Sequence, residues 1–229
     1  MSNQFTVAKR KKSFCDGMGL IELMVSIFLG ALLFIGLIQV FLIFQRTWSW
    51  QNAWASMQEQ QRYITHFFGN RIKMAGIADC EHAYSVNQAL AIWGYSFQSA
   101  PANIRRQMRL GSDVLVIGAC VHYRGVNQFV QIAYYISDSG RKEALGKPIY
   151  SLYEKPMGGE REELVSGITV FHLRYGVMSA AGDEVNEVSS EAVTDWKKVR
   201  SVRLTYQIAS EKPGFYKMGY LYVSLRERG

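Results

Sequence analysis

An uncharged apolar segment at residues 23–45 constrains this chain of 229 residues more than any other feature, because most of it is Leu, Ile, Val, Phe, Met and Ala. At a rise of about 1.5 Å per residue, a helix over this segment is long enough to cross the roughly 30 Å hydrocarbon core of a bilayer. A secretory signal peptide has a shorter apolar core followed by a small-residue cleavage site, and residues 39–45 offer no convincing site of that kind. The segment therefore predicts a helix that spans a membrane once.

The charges around this segment predict its orientation. Four consecutive basic residues occupy positions 9–12, and with Asp16 they give the first stretch a net charge of +3, out of +7 for the whole chain. By the positive-inside rule, this cluster predicts a cytoplasmic N-terminus. Trp48, Trp50 and Trp54 follow the segment and suit the opposite membrane–water interface. Much of the basic excess thus indicates topology rather than a nucleic-acid partner.

Glu22 stands at the start of the apolar segment, where a carboxylate is unusual. An ionised carboxylate near hydrocarbon costs roughly 3 kcal/mol even on lenient insertion scales, and such residues usually have a partner and a function. The apolar segment contains no cation that could pair with it. We therefore expect the partner to come from another chain.

The sequence GMGLIELMV (residues 17–25), preceded by the basic leader, resembles the class III signal of type IV prepilins. In that family a prepilin peptidase cuts after the glycine on the cytoplasmic face and N-methylates the new first residue. The resemblance implies cleavage between Gly17 and Met18, methylation of Met18 and an assembly role for Glu22. In the family, this glutamate is thought to pair with the N-terminal amine of a neighbouring subunit. Met18 and Gly19 depart from the commonest residues, which are Phe followed by Thr or Ser.

The same resemblance implies a pilin-like α+β fold, with one long N-terminal helix packed on an antiparallel β-sheet head. It divides the chain into a cleaved leader at residues 1–17, a long helix at residues 18–76 with its transmembrane half at about 20–45, and a periplasmic globular head at residues 77–229. The protein would reside in the bacterial inner membrane, or be incorporated into a surface pilus. Its partners would be other minor and major pilins, prepilin peptidase, the inner-membrane assembly platform and the bilayer, without a cofactor.

Beyond the membrane segment, apolar residues continue at spacings of three, four or their sums, as on one face of a helix. They are Trp50, Trp54, Met57, Ile64, Phe68 and Ile72. The pattern predicts one helix from about residue 20 to residue 75, with this stripe as its packing face and Gly76 as its C-cap. The stretches QEQQRY (residues 58–63) and RIKMAG (residues 71–76), followed by Cys80, resemble the PilW group of minor pilins. The type II secretion pseudopilin J group shares this layout.

From residue 112 onward, apolar runs and alternating patterns separated by Gly, Asn and Asp indicate strands. The predicted strands lie at residues 114–120, 129–136, 168–175, 202–208 and 216–225. The first is nearly continuous in apolar residues, which suits a central strand, and Gly140 lies just past the end of the second. Because no helical pattern intervenes, these strands predict an antiparallel sheet packed on the helix.

The apolar segment separates the three cysteines, because Cys15 precedes it whereas Cys80 and Cys120 follow it. In an oxidising periplasm, a Cys80–Cys120 disulfide is the expected pairing, and it would contribute roughly 3–4 kcal/mol in the chain-entropy model. The alternative is a zinc site built from these cysteines with His82 and His122. The two Cys-x-His pairs lack the spacing of typical structural zinc sites, so we favour the disulfide and predict no metal.

Residues 81–110 and 179–195 show no regular pattern in the sequence and predict loops, and loops on a rigid scaffold often carry function. The first stretch combines arginines with aromatic residues, which could bind phosphate and stack on bases, although a solvated loop or a subunit contact is favoured. These residues are Trp93, Tyr95, Phe97, Arg105, Arg106 and Arg109. The second stretch is acidic without the spacing of an EF-hand, which favours a solvated loop over a calcium site.

Catalytic signatures such as a P-loop, His-Glu-x-x-His and Gly-x-Ser-x-Gly are missing from the sequence, so we expect no enzyme. The first hypothesis is a minor pilin of a type IV pilus, a structural subunit that helps to initiate or prime assembly, with adhesion or twitching motility downstream. The alternatives are a type II secretion pseudopilin and a membrane-tethered periplasmic binding module, including a DNA-uptake pilus component. Glu22 discriminates between an assembling subunit and a tether, because a mere tether has no use for it.

Overall fold

A computed structural model describes residues 19–75, 91–123, 126–143, 146–179, 184–210 and 214–225, without the side chains of residues 119–128. The long helix α1 (Leu20–Lys73) confirms the predicted helix to within two residues at its end. The chain divides into two compact units, Met1–Trp50 and Gln51–Gly229, so the division falls inside α1. The second half of this helix therefore belongs with the head.

In the part of the chain that the structure describes, nine strands and one short α-helix follow α1. They are β1 (Ile92–Tyr95), α2 (Ala102–Arg105), β2 (Val114–Tyr123), β3 (Val126–Lys142), β4 (Pro148–Pro156), β5 (Glu162–Ser166), β6 (Ile168–Met178), β7 (Val185–Val188), β8 (Val199–Ala209) and β9 (Tyr216–Ser224). The first sheet has the order β1-β2-β3-β4-β5 and the second has the order β7-β6-β8-β9, with every neighbouring pair antiparallel. The α+β class and the antiparallel pairing are thus confirmed, but the described residues of the head form two sheets rather than one.

Gly167 explains why the strands divide into two sheets. It joins β5 of the first sheet to β6 of the second, with a φ of +77° that favours glycine. Its N–H donates to the Tyr150 carbonyl of the first sheet at 2.8 Å, and its carbonyl accepts from the Ala209 N–H of the second at 2.6 Å. An added Cβ would lie 2.5 Å from the Ala209 carbonyl oxygen. This single residue therefore transfers the chain from one sheet to the other.

The main core lies where the second half of α1 meets both sheets. Phe68 is fully buried, and its ring lies 5.2 Å from the ring of Tyr134 in β3 and 5.8 Å from that of Phe171 in β6. Met57, Ile64, Phe68 and Ile72 form the buried face of the helix, which confirms four of the six predicted stripe residues. Trp50 and Trp54 are not buried, at 55% and 41% exposure, and Trp54 makes an edge contact with the ring of Phe215.

A second apolar cluster covers the other face of the first sheet. It is formed by the segment around α2 together with residues from β1 to β4, namely Trp93, Ala100, Ile104, Met108, Val114, Val116, Ala133, Tyr135 and Tyr153. Because Leu115 and Ile117 face the main core, the first part of β2, from Val114 to Gly118, is buried on both faces. This double burial accounts for its continuous apolar run and confirms the prediction of a central strand.

The strand boundaries differ from the predictions mainly in the first sheet. The strand predicted at residues 129–136 is the middle of the longer β3, so Gly140 lies inside a strand rather than beyond it. Its φ of +76° accompanies a register shift between Asp138 and Lys142, which lets the strand continue past the glycine. Strands β6, β8 and β9 confirm the three later predictions, whereas β1, β4, β5 and β7 were not predicted.

Candidate membrane and assembly segment

Helix α1 begins directly after Gly19, whose carbonyl accepts N–H bonds from Glu22 at 2.9 Å and Leu23 at 3.2 Å. Glu22 therefore lies in the first turn, where the positive end of the helix dipole stabilises a carboxylate. Ser26 donates its hydroxyl to the Glu22 carbonyl at 2.8 Å, so its polar group is satisfied within the helix. No ion pair joins Glu22 to another residue in the described part of the chain.

Large apolar side chains cover α1 on all sides between Leu20 and Phe44, and every one of them is exposed. Exposing so much apolar surface to water is unfavourable by about 25 cal/mol per Å², whereas a bilayer removes this cost. The helix is long and apolar enough to cross a membrane. The chain is therefore compatible with a single-pass membrane protein.

The polar end of the apolar surface is marked by aromatic and basic side chains. Arg46 is the first charged residue after Glu22 in the sequence. The rings of Phe44 and Trp48 stack with centroids 6.5 Å apart, and Trp48 and Trp50 are both more than half exposed. An amphipathic indole next to a cation suits the headgroup layer of a bilayer.

Glycines give the apolar surface places where another helix can approach closely. A Cβ added to Gly30 or to Gly36 would meet nothing within 4 Å, so both positions face open space. Ala31 adds a third small residue to the same part of the helix. Small residues of this kind allow close contact between helix backbones in membranes.

The predicted processing and disulfide residues fall largely outside the described part of the chain. Gly17, Met18 and Cys80 are outside it, and Cys120 is described only through its backbone, which lies in β2 opposite Phe129 of β3. The processing site, the disulfide and the zinc alternative therefore stay predictions. Among the side chains that are described, no group of three or more potential metal ligands occurs.

The acidic stretch contains carboxylates that bind separate partners. Glu187 forms an ion pair with Arg203, Glu191 accepts a hydrogen bond from the Ser96 hydroxyl, and Asp195 accepts from the Lys197 N–H at 3.0 Å. The last contact caps the 3₁₀ turn Trp196–Lys198. Glu187 thus links β7 to β8 and Glu191 links the stretch to the segment after β1, whereas Asp195 bonds locally. The three carboxylates do not converge on one point.

The arginine and aromatic stretch is likewise occupied by structural contacts. The Arg109 guanidinium lies 4.2 Å from the centre of the Tyr150 ring and donates to the Thr169 carbonyl. Arg105 donates to the Gln98 carbonyl at 3.1 Å. Trp93 is buried in the second apolar cluster, so it offers no stacking surface for a base. These contacts favour a structural role over DNA binding for this stretch.

Asp113 joins the two sheets, although sequence reasoning did not single it out. Its N–H donates to the Phe171 carbonyl at 2.9 Å, and its carboxylate accepts from the Leu173 N–H at 2.8 Å. The same carboxylate lies 3.5 Å from Nδ1 of His172. Burial raises the pKa of Asp113, and the Leu173 and His172 contacts only partly oppose this effect. A single acidic residue at the start of an apolar strand was the available signal.

No protein-family model, curated protein or solved structure matches this chain.

Proposed function

We propose that this protein is a minor pilin of a type IV pilus, a structural subunit that helps to prime assembly. The observation that carries the proposal is Glu22, which lies in the first turn of a helix whose first half is apolar and exposed and whose second half packs in the head. A helix of this kind can anchor the head in the inner membrane and can also pack against the helices of neighbouring subunits. The head would then lie in the periplasm.

The charge pair would determine the axial register of the subunits. Cleavage after Gly17 would create an amine at Met18, about one helical turn from Glu22 along the chain. An unpaired carboxylate and an unpaired amine are both costly near hydrocarbon, where screening is weak. Pairing the carboxylate of one subunit with the amine of its neighbour removes both costs at one axial stagger. Apolar packing alone is favourable in many registers, so the charges select one.

The proposal is tested by replacing Glu22 with Gln, Ala or Leu at native expression level. We expect each variant to insert into the membrane and to fold its head normally, but to lose crosslinking to other pilins and surface piliation. Ser26→Ala is the matched control, because Ser26 lies one turn away and its hydroxyl bonds only within the helix. Wild-type crosslinking and piliation in all three Glu22 variants would contradict the proposed assembly mechanism and favour a simple membrane tether.

A further inference from the structure

One edge of the second sheet carries a row of exposed apolar side chains, and the opposite edge carries one. On the edge strand β9, Tyr216, Met218, Tyr220 and Tyr222 are all exposed, and Tyr220 is the most exposed at 68%. On the opposite edge strand β7, Val185 is 49% exposed. Long edge strands with exposed apolar residues are prone to pair with further strands. Among the described residues, β7 and β9 are the edge strands of this sheet and are therefore suited to lateral association.

The register of β9 shows which of its backbone groups face the free edge. The Leu225 N–H donates to the Arg200 carbonyl at 2.7 Å, and the Phe215 carbonyl accepts from the Ser210 N–H at 3.0 Å. The register between β8 and β9 is uninterrupted. Because bonding alternates along antiparallel strands, the odd-numbered residues of β9 bond to β8 and the even-numbered ones direct N–H and C=O outward. The outward groups therefore belong to the residues with the exposed side chains.

The same reasoning applies to β7. The Ser179 N–H donates to the Glu184 carbonyl at 2.8 Å, which continues the pairing of β6 with β7. Within β7, the outward groups therefore belong to Val185 and Glu187. Glu187 reaches Arg203 of β8, and Arg203 is the cross-strand partner of Tyr222. The outward residues of β7 and of β9 thus lie on the same face of the sheet.

Strand direction decides which edges can meet. The four strands alternate in direction across the sheet, so β7 and β9 run in opposite directions. Two copies with the same orientation therefore present β9 of one and β7 of the other as an antiparallel pair. Pairing β9 with a second β9 would instead need a two-fold axis perpendicular to the sheet, which reverses any helix packed along the sheet face. The proposed function has both copies entering one membrane with their N-termini on the same side, so we consider the pair of copies with a common orientation.

We propose that the second sheet continues from one copy of this chain to the next, with β9 of one subunit paired to β7 of its neighbour. Val185 would lie beside a tyrosine of the partner strand, and aromatic–β-branched pairs of this kind are favourable. Only two residues of β7 offer outward groups, so the contact is weak by itself. Confinement of both copies to one membrane raises their effective concentration and compensates for this weakness. The inference rests on the membrane location in the proposed function but not on Glu22.

The test is disulfide crosslinking of the full chain in the membrane of a host without other pilin genes. One tagged copy carries Val185→Cys and a differently tagged copy carries Met218→Cys, Tyr220→Cys or Tyr222→Cys. A hydrogen-bonded antiparallel pair places Cα atoms about 5.5 Å apart, which is within disulfide range. We expect a mixed disulfide with one of these three positions and none with Arg174→Cys, which is exposed on the central strand β6 of the same sheet.

A second variant separates pairing from chance collision. In the Met218→Cys or Tyr222→Cys chain that crosslinks, adding Tyr220→Pro removes one outward N–H while leaving the bonds to β8, so the product should be lost. A Tyr220→Cys homodimer as the main product, or no product above the Arg174→Cys control in correctly inserted protein, would overturn the inference. Either result would leave the Glu22 test of the proposed function unaffected.

Discussion

Replacing Phe68 with alanine tests whether the second half of α1 forms the centre of the head. Phe68 is fully buried, and its ring contacts Tyr134 of the first sheet and Phe171 of the second. Truncating a buried phenylalanine to alanine costs about 3–5 kcal/mol, from lost burial and from the cavity left behind. Because the neighbouring rings belong to two different sheets, the site cannot collapse by moving one element. We therefore expect a loss near 4 kcal/mol, which is a large share of the roughly 5–15 kcal/mol of a typical domain.

The assay is denaturant unfolding of the full chain in mild detergent, with tryptophan fluorescence as the signal. Trp93 is buried in the head and reports its unfolding. Phe44→Ala is the matched control, because it makes the same change on the same helix at a position that is 64% exposed. We expect Phe44→Ala to shift the free energy of unfolding by less than about 1 kcal/mol. Equal effects of the two substitutions would refute the placement of α1 between the two sheets.

Three further predictions concern the joins within the head. Asp113→Asn keeps an acceptor for the Leu173 N–H but removes the charge. Burial raises the pKa of Asp113 in the folded state above its ordinary 3.8, so as the pH falls the folded wild type takes up this proton before the unfolded chain does. Over that pH range, the free energy of unfolding of the wild type should therefore rise relative to that of the variant. Gly94→Ala would place a Cβ 1.9 Å from the Tyr175 hydroxyl, so we expect it to lower the free energy of unfolding by about 1–3 kcal/mol in the same assay. Gly69→Ala is the control, because Gly69 lies in open space on α1, and it should raise the free energy of unfolding by up to about 1 kcal/mol. Non-reducing peptide mapping should find Cys80 linked to Cys120, and free thiols at both positions would reopen the zinc hypothesis.

Periodicity identified the elements whose burial follows a simple pattern. The stripe from Met57 to Ile72 and the alternation along β8 are visible in the sequence because each element buries one face. The continuous apolar run of β2 was equally informative, because both faces are buried along residues 114–118. In these elements the local sequence and the tertiary environment require the same residues.

The strands that were missed are at the edges or carry mixed burial. In β5 only Val165 is buried, and β7 has no buried residue, so neither shows a regular alternation. The division into two sheets depends on Gly167, whose role requires a positive φ and a close approach to Ala209 that a sequence pattern does not reveal. Trp54 was placed on the packing face by spacing alone, whereas its actual contact is with Phe215 beyond β8.

Within the candidate segment, Glu22 and the apolar surface were identifiable from the sequence, because a long uncharged run is unusual and a carboxylate at its start is more unusual still. Asp113 was not, because its contacts join residues 60 positions apart in the sequence. From the sequence, the tyrosines of β9 indicated only a strand rich in aromatic residues. Their position on a free edge follows from strand order, which depends on long-range pairing.

The central claim is that this chain is processed and assembled as a pilin, and the mature N-terminus tests it most directly. We propose intact-mass and N-terminal peptide analysis of the native protein from cells with active prepilin peptidase. The account predicts a chain that begins at N-methylated Met18, and it predicts that Gly17→Glu leaves the leader attached. A mature protein that still begins at Met1 in those cells would contradict the account.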